Sequence, residues 1–197
     1  VTVQFYRKGD DDLALLTQVQ LNGALPRLSE PDVYPYAHLI TELVDVLTVD
    51  VHLGERLYDY LASGLRGLNV HSDPEHVALL YTWRLLGVAG LAPRLAPCVR
   101  CQRDGPLARF DVAGGGLTCA DCSEGVPLPP AAVRELSDLI SVPLTQALKE
   151  PPVDRALHWR LVERYVTYHA HELRSFAAVR ALTQPTRNSG VGAPPHV

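Results

Sequence analysis

The chain has 197 residues and 47% hydrophobic content, enough for one good core or two small domains. Its formal net charge is −4, so the composition as a whole gives no basic signature. No apolar run reaches the length needed to cross a bilayer, and no basic-then-apolar signal pattern opens the chain; a reducing, cytoplasmic location without a membrane partner is expected. The first residue is not methionine, and the chain is expected to begin after a further segment.

The net charge hides a gradient. Residues 1–93 carry six basic and twelve acidic side chains, and residues 94–152 carry six and seven. Residues 153–197 reverse the sign, with Arg155, Arg160, Arg164, Arg174, Arg180 and Arg187 against Asp154, Glu163 and Glu172. A basic face, if the protein has one, belongs to this last part.

In chain order, residues 1–7 alternate and are rich in β-branched and aromatic types, which predicts a strand. The turn through Asp10, Asp11 and Asp12 reads as a solvated surface, and residues 13–21 as a second strand or short mixed element. Two strands alone are marginal in water, so this hairpin either packs on the following helices or closes a β domain. Pro26 to Pro35 is a connector, after which apolar residues at helical spacing predict helices over residues 36–49 and 53–68. Asp73-Pro74-Glu75 is a helix start, an acidic cap before a proline in the first turn, and this helix should run to about Val88.

All four cysteines follow as two Cys-x-x-Cys pairs, Cys98/Cys101 and Cys119/Cys122, separated by seventeen residues. This spacing suits a closed structural zinc site, because each pair can place two sulfurs on one tetrahedral ion. Two disulfides or a redox dithiol are the alternative uses of such pairs. Gly114, Gly115 and Gly116 let the chain fold back, with short strands expected at 108–112 and 116–119. A ribbon this small should owe much of its folding energy to the metal.

Pro127, Pro129 and Pro130 end the ribbon and open a helix with Val133, Leu136 and Ile140; Ser141 is placed to cap a further short one. Asp154 should cap a long helix reaching Leu182, with a stripe of Leu157, Leu161, Tyr165, Tyr168, Leu173, Phe176 and Val179. Tyr165, Tyr168 and Phe176 read as core. From Thr183 the chain turns to Pro, Gly, Ser and Asn, a flexible tail over 183–197. The predicted fold class is mainly α, with an inserted four-cysteine zinc ribbon over 93–126 between helical parts 33–92 and 127–182.

No phosphate loop, dinucleotide fingerprint or HExxH motif is present, so no catalytic constellation is indicated and a non-enzymatic role is expected. His169 and His171 stand two apart, a poor spacing for a metal pair on a helix. On the predicted last helix, Arg160, Arg164 and Arg174 share roughly one side, with Arg155 a further candidate for it and Arg180 less aligned. Such a row suits phosphates, and it equally suits a solvated face or a salt-bridged interface.

Several stretches together resemble the bacterial recombination mediator family RecO: YPYAHLITELVDVL, LLYTWRLLGVAGLAPRLAPCVRCQ, ARFDVAGGGLTCADC and YVTYHAHELRSFAAV. The resemblance implies that residues 1–22 are the C-terminal part of an OB-fold domain, and that Cys98, Cys101, Cys119 and Cys122 hold a structural zinc. It implies a cytoplasmic, nucleoid-associated protein that binds single- and double-stranded DNA and anneals complementary strands. The family cooperates with RecR, with RecF in some cases, and with single-strand-binding protein, so that recombinase loads during DNA repair. Arg174 and Ser175 match its closing helix, with Arg where many relatives have Lys. The alternative is a zinc-stabilised protein-interaction adaptor with little intrinsic DNA binding.

Overall fold

The computed structural model describes residues 2–9, 13–21, 23–48, 54–122 and 124–183. The acidic turn at 10–12 and the tail at 184–197 lie outside them, while Thr183 belongs to the last helix.

The chain opens with strands β1 (Thr2–Tyr6) and β2 (Leu15–Gln20), paired antiparallel from Thr2 opposite Gln20 to Tyr6 opposite Leu15. Every residue of both strands is exposed, so neither face of the hairpin is packed on the helices. A short 3₁₀ helix, Pro26–Ser29, follows. There Arg27 is tied to the end of the second helix, its side chain donating to the His71 carbonyl at 2.7 Å and its N–H to Asn69 Oδ1 at 3.2 Å.

Helix α1 (Tyr34–Leu47) starts two residues earlier than its apolar spacing indicates, because Pro35 fits the first turn. Helix α2 (Gly54–Val70) continues through Gly64 and Gly67. Gly64 marks a close approach of neighbouring helices: a Cβ there would sit 3.0 Å from Tyr81 Cδ1 and 3.1 Å from Ile40 Cδ1. Helix α3 (Pro74–Val88) begins as the sequence dictates, with the Asp73 carboxylate accepting from the His76 N–H at 3.1 Å. Val77 to Trp83, together with Leu85 and Leu86, are all buried, so α3 is enclosed around most of its circumference and forms the centre of the core.

The ribbon has three strands rather than two. β3 (Leu107–Asp111) lies between β4 (Gly116–Cys119) and the two-residue β5 (Val126–Pro127), all antiparallel. Phe110 and Leu117 are buried with the helical residues. Phe110 meets Trp83 edge-on, with centroids 6.2 Å apart, and Tyr165 at 5.6 Å. The ribbon is therefore plugged into the helical core at one end, which its small size alone did not suggest. The turn between β3 and β4 has Gly115 at φ +71°, and a Cβ on Gly116 would fall 2.2 Å from the Arg94 carbonyl oxygen.

Helix α4 (Pro130–Ser141) buries Ala132, Leu136 and Leu139. Ser141 is its last residue rather than a cap, and Pro143 precedes the single turn α5 (Leu144–Ala147). The long closing helix of the sequence reading is two helices, α6 (Arg155–His169) and α7 (Ser175–Thr183). The break is stabilised from α1. Glu42 accepts from the Arg174 N–H at 3.0 Å, from the Ser175 N–H at 2.9 Å and from the Ser175 hydroxyl, satisfying donors that begin α7.

Candidate metal centre and basic groove

The Cys98-Val99-Arg100-Cys101 turn, the end of β4 and the turn after it bring the four cysteines to the far end of the ribbon. Their sulfurs all lie within 4.8 Å of one another. Cys98 and Cys122 Sγ are 3.8 Å apart, and Cys101 and Cys119 Sγ are 3.7 Å apart. A tetrahedral zinc with bonds of about 2.3 Å requires sulfur–sulfur edges of about 3.8 Å, so the residues present fit this ion. The four cysteines are free, and these separations are far beyond a disulfide bond of about 2.05 Å.

The electrostatics of the cluster also favour a cation. The Cys101 backbone N–H leads the donors that lower the Cys98 thiol to about 6, which favours its thiolate form. Burial leads the effects that push Cys122 up to about 12, aided by its thiol neighbours. Thiolates gathered this closely repel one another unless a positive ion lies among them. Four protein ligands close a tetrahedral site, which suits a clip rather than a reacting centre. Among the described residues this is the only group of three or more His, Cys, Asp or Glu able to hold a metal; His169 and His171 do not belong to one.

The arginines divide into committed and free. Arg100 pairs with the buried Asp111, and Arg103 Nη2 lies 3.3 Å from Asp121 Oδ2. Arg109 donates to the carbonyls of Glu124 and Gly125. Arg155 clamps the start of α3, donating to Asp73 and Glu75, while Trp159 Nε1 donates to Glu75 at 3.0 Å. Arg155 is thus structural and leaves the proposed phosphate row.

Arg160 and Arg164 are exposed on α6 and form no ion pair among the described residues. They line a groove of about 800 Å³ with Val112, Glu163, Thr167, Tyr168 and Glu172. The helix break rearranges the expected row. Arg180 reaches this area by pairing with Glu163, whereas Arg174 lies in the break, exposed and outside the groove lining. Tyr165 and Phe176 are buried as expected, but Tyr168 is 62% exposed and joins Arg160 and Arg164 in the groove. The sequence signal for Tyr168 was its i+8 relation to Arg160 and i+4 relation to Arg164.

A sequence model described as "Recombination protein O C terminal" matches residues 28–175. The chain belongs to the RecO family. The RecO match begins past the β1–β2 hairpin and ends on the first residue of α7, so it takes in the cysteine ribbon and the whole of α6. The DNA repair protein RecO of Bacillus subtilis strain 168 is 31% identical over 105 residues, 51% of this chain and 41% of that protein. Its counterpart in Rubrobacter xylanophilus is 32% identical over 129 residues, covering 62% and 49%. RecO of Shouchella clausii is 29% identical over 167 residues, covering 80% and 64%. The chain thus spans between 41% and 64% of the length of these relatives. Among the described residues, no helix is long and apolar enough to cross a membrane.

Proposed function

We propose that the protein is a non-enzymatic DNA-binding recombination mediator of DNA repair. It anneals complementary strands and helps load recombinase on single-stranded DNA coated by single-strand-binding protein. RecO membership over residues 28–175 carries this reading. RecR is the expected partner, with RecF and single-strand-binding protein as further ones, in the cytoplasm at the nucleoid. The mechanism is electrostatic: Arg160 and Arg164, with weaker roles for Arg174 and Arg180, neutralise phosphates and lower the repulsion between strands. Bases then pair without being read by the protein.

In this reading Cys98, Cys101, Cys119 and Cys122 hold zinc as a structural ion, which supplies four metal–thiolate bonds at the tip of the ribbon. The β1–β2 hairpin belongs to an OB-fold domain. Its position before the RecO match, and exposed Val3, Phe5, Leu15, Leu16 and Val19 that call for cover, support this. The same exposed apolar hairpin favours a second reading, a protein-interaction adaptor with little intrinsic DNA binding. Annealing of complementary strands by the full-length protein separates the two. The mediator accelerates annealing without a nucleotide cofactor, and Arg160→Ala with Arg164→Ala slows it. No acceleration over the protein-free reaction would select the adaptor.

A further inference from the structure

We propose that Tyr168 is a stacking platform for one unpaired base, making the α6 groove a site for single-stranded nucleic acid. The proposal rests on the DNA-binding reading and adds a strand preference to it.

The ring is exposed yet braced. The imidazole of His169 packs against it edge to face, with centroids 4.9 Å apart and planes at 69°. His169 itself rests on buried Tyr165, centroids 4.3 Å apart, and its Nε2 is 2.6 Å from the Val112 carbonyl oxygen at the ribbon turn. The ribbon thus steadies, through His169, a tyrosine that is 62% exposed. An exposed ring of this kind gives a base a π-face at little ordering cost.

The neighbours supply charge of the right sign. Arg160, Arg164 and Tyr168 succeed one another at intervals of four on α6, so each step advances about 6 Å along one face. Phosphates placed at the two guanidinium groups leave the next base at the ring. Glu163 also lines the groove, but Arg180 pairs with it. Exposed Glu172 repels phosphate and confines the backbone to the arginine end. In a duplex the base faces are already stacked on each other, so Tyr168 adds binding energy only where a base is unpaired.

The test is fluorescence anisotropy of the full-length protein with a labelled oligothymidylate and with an abasic strand of equal length, each over a salt series. Tyr168→Ala should weaken binding of the base-bearing strand about tenfold, spare the abasic strand, and leave the salt slope unchanged. Tyr168→Phe, which keeps the ring, should bind as the parent does. Wild-type affinity in Tyr168→Ala with an intact salt slope overturns the stacking site while the DNA reading stands. Equal losses on both strands also overturn it, as does loss in Tyr168→Phe. Absence of salt-dependent binding in the parent protein defeats the DNA reading, and the stacking site with it.

Discussion

The protein contains two small antiparallel β elements with opposite fates. The β1–β2 hairpin has residues of high strand propensity but exposes all of them. The β3–β4–β5 ribbon is no larger, yet Phe110 is fully buried and Leu117 nearly so. Its other end gathers four thiols. Strand propensity is lower in the ribbon, which carries Ala108, Asp111, Gly116 and Pro127, so the difference lies in what covers the strands: the ribbon has a hydrophobic plug at one end and a thiol cluster that fits a metal at the other, the hairpin only its own ladder. A short sheet needs such outside support to persist in water.

Phe110→Ala should have the largest effect. It opens a cavity where Trp83 and Tyr165 meet the ribbon, and a loss of about 3–5 kcal/mol in a urea or guanidinium titration is expected. A loss confined to the ribbon, with the helical transition unchanged, would show that the plug is not part of the main core. Gly116→Ala comes next, at about 1–3 kcal/mol, since the added Cβ would strike the Arg94 backbone.

Perturbing the thiol cluster should separate the two supports. A chelator, or Cys98→Ala, should raise amide hydrogen exchange across residues 98–122 while α3 keeps its protection, because Phe110 still anchors the strands. Exchange that rises equally in α3 would mean the metal holds the whole fold. Phe5→Ala should matter least to the helical part: Phe5 is 63% exposed, and the melting transition of the helical core should move by no more than about 0.5 kcal/mol, whatever covers the hairpin.

Acid acts on the helical frame. Desolvation raises the Asp73 carboxyl, but its bonds from Arg155 and the His76 N–H outweigh this and hold it below the usual range. Glu42 behaves alike, with desolvation outweighed by the Ser175 hydroxyl and the Ser175 and Arg174 N–H groups. Depressed carboxyl groups contribute stability above their unfolded values of about 4 and lose it as pH falls through the folded values. Denaturation midpoints should therefore drop below about pH 4, and Arg155→Ala should shallow that drop while costing about 2 kcal/mol at neutral pH.

Local chemistry was legible in the sequence. Asp73-Pro74 marked the start of α3, and the two cysteine pairs announced a four-sulfur cluster, because the cap is local and each Cys-x-x-Cys pair is a recognisable spacing in itself. The break between α6 and α7 was not. Apolar spacing continues from Tyr165 through Leu173 to Phe176, and the stabilising carboxylate, Glu42, lies 133 residues before Ser175. That break decides which arginines meet, so the basic groove became visible only in three dimensions. Tyr168 was hidden for a related reason: helical periodicity placed it beside Tyr165, yet it faces the groove rather than the core. The plug at Phe110 was missed because a short strand carries no sign of what its apolar residue will touch.

The most direct test of the account is the salt dependence of single-strand binding by the full-length protein and by its Arg160→Ala, Arg164→Ala double variant. If both arginines neutralise phosphates, the slope of log affinity against log salt should shallow by about 1.4, with similar weakening on different sequences. An unchanged slope and affinity would contradict a phosphate track along α6.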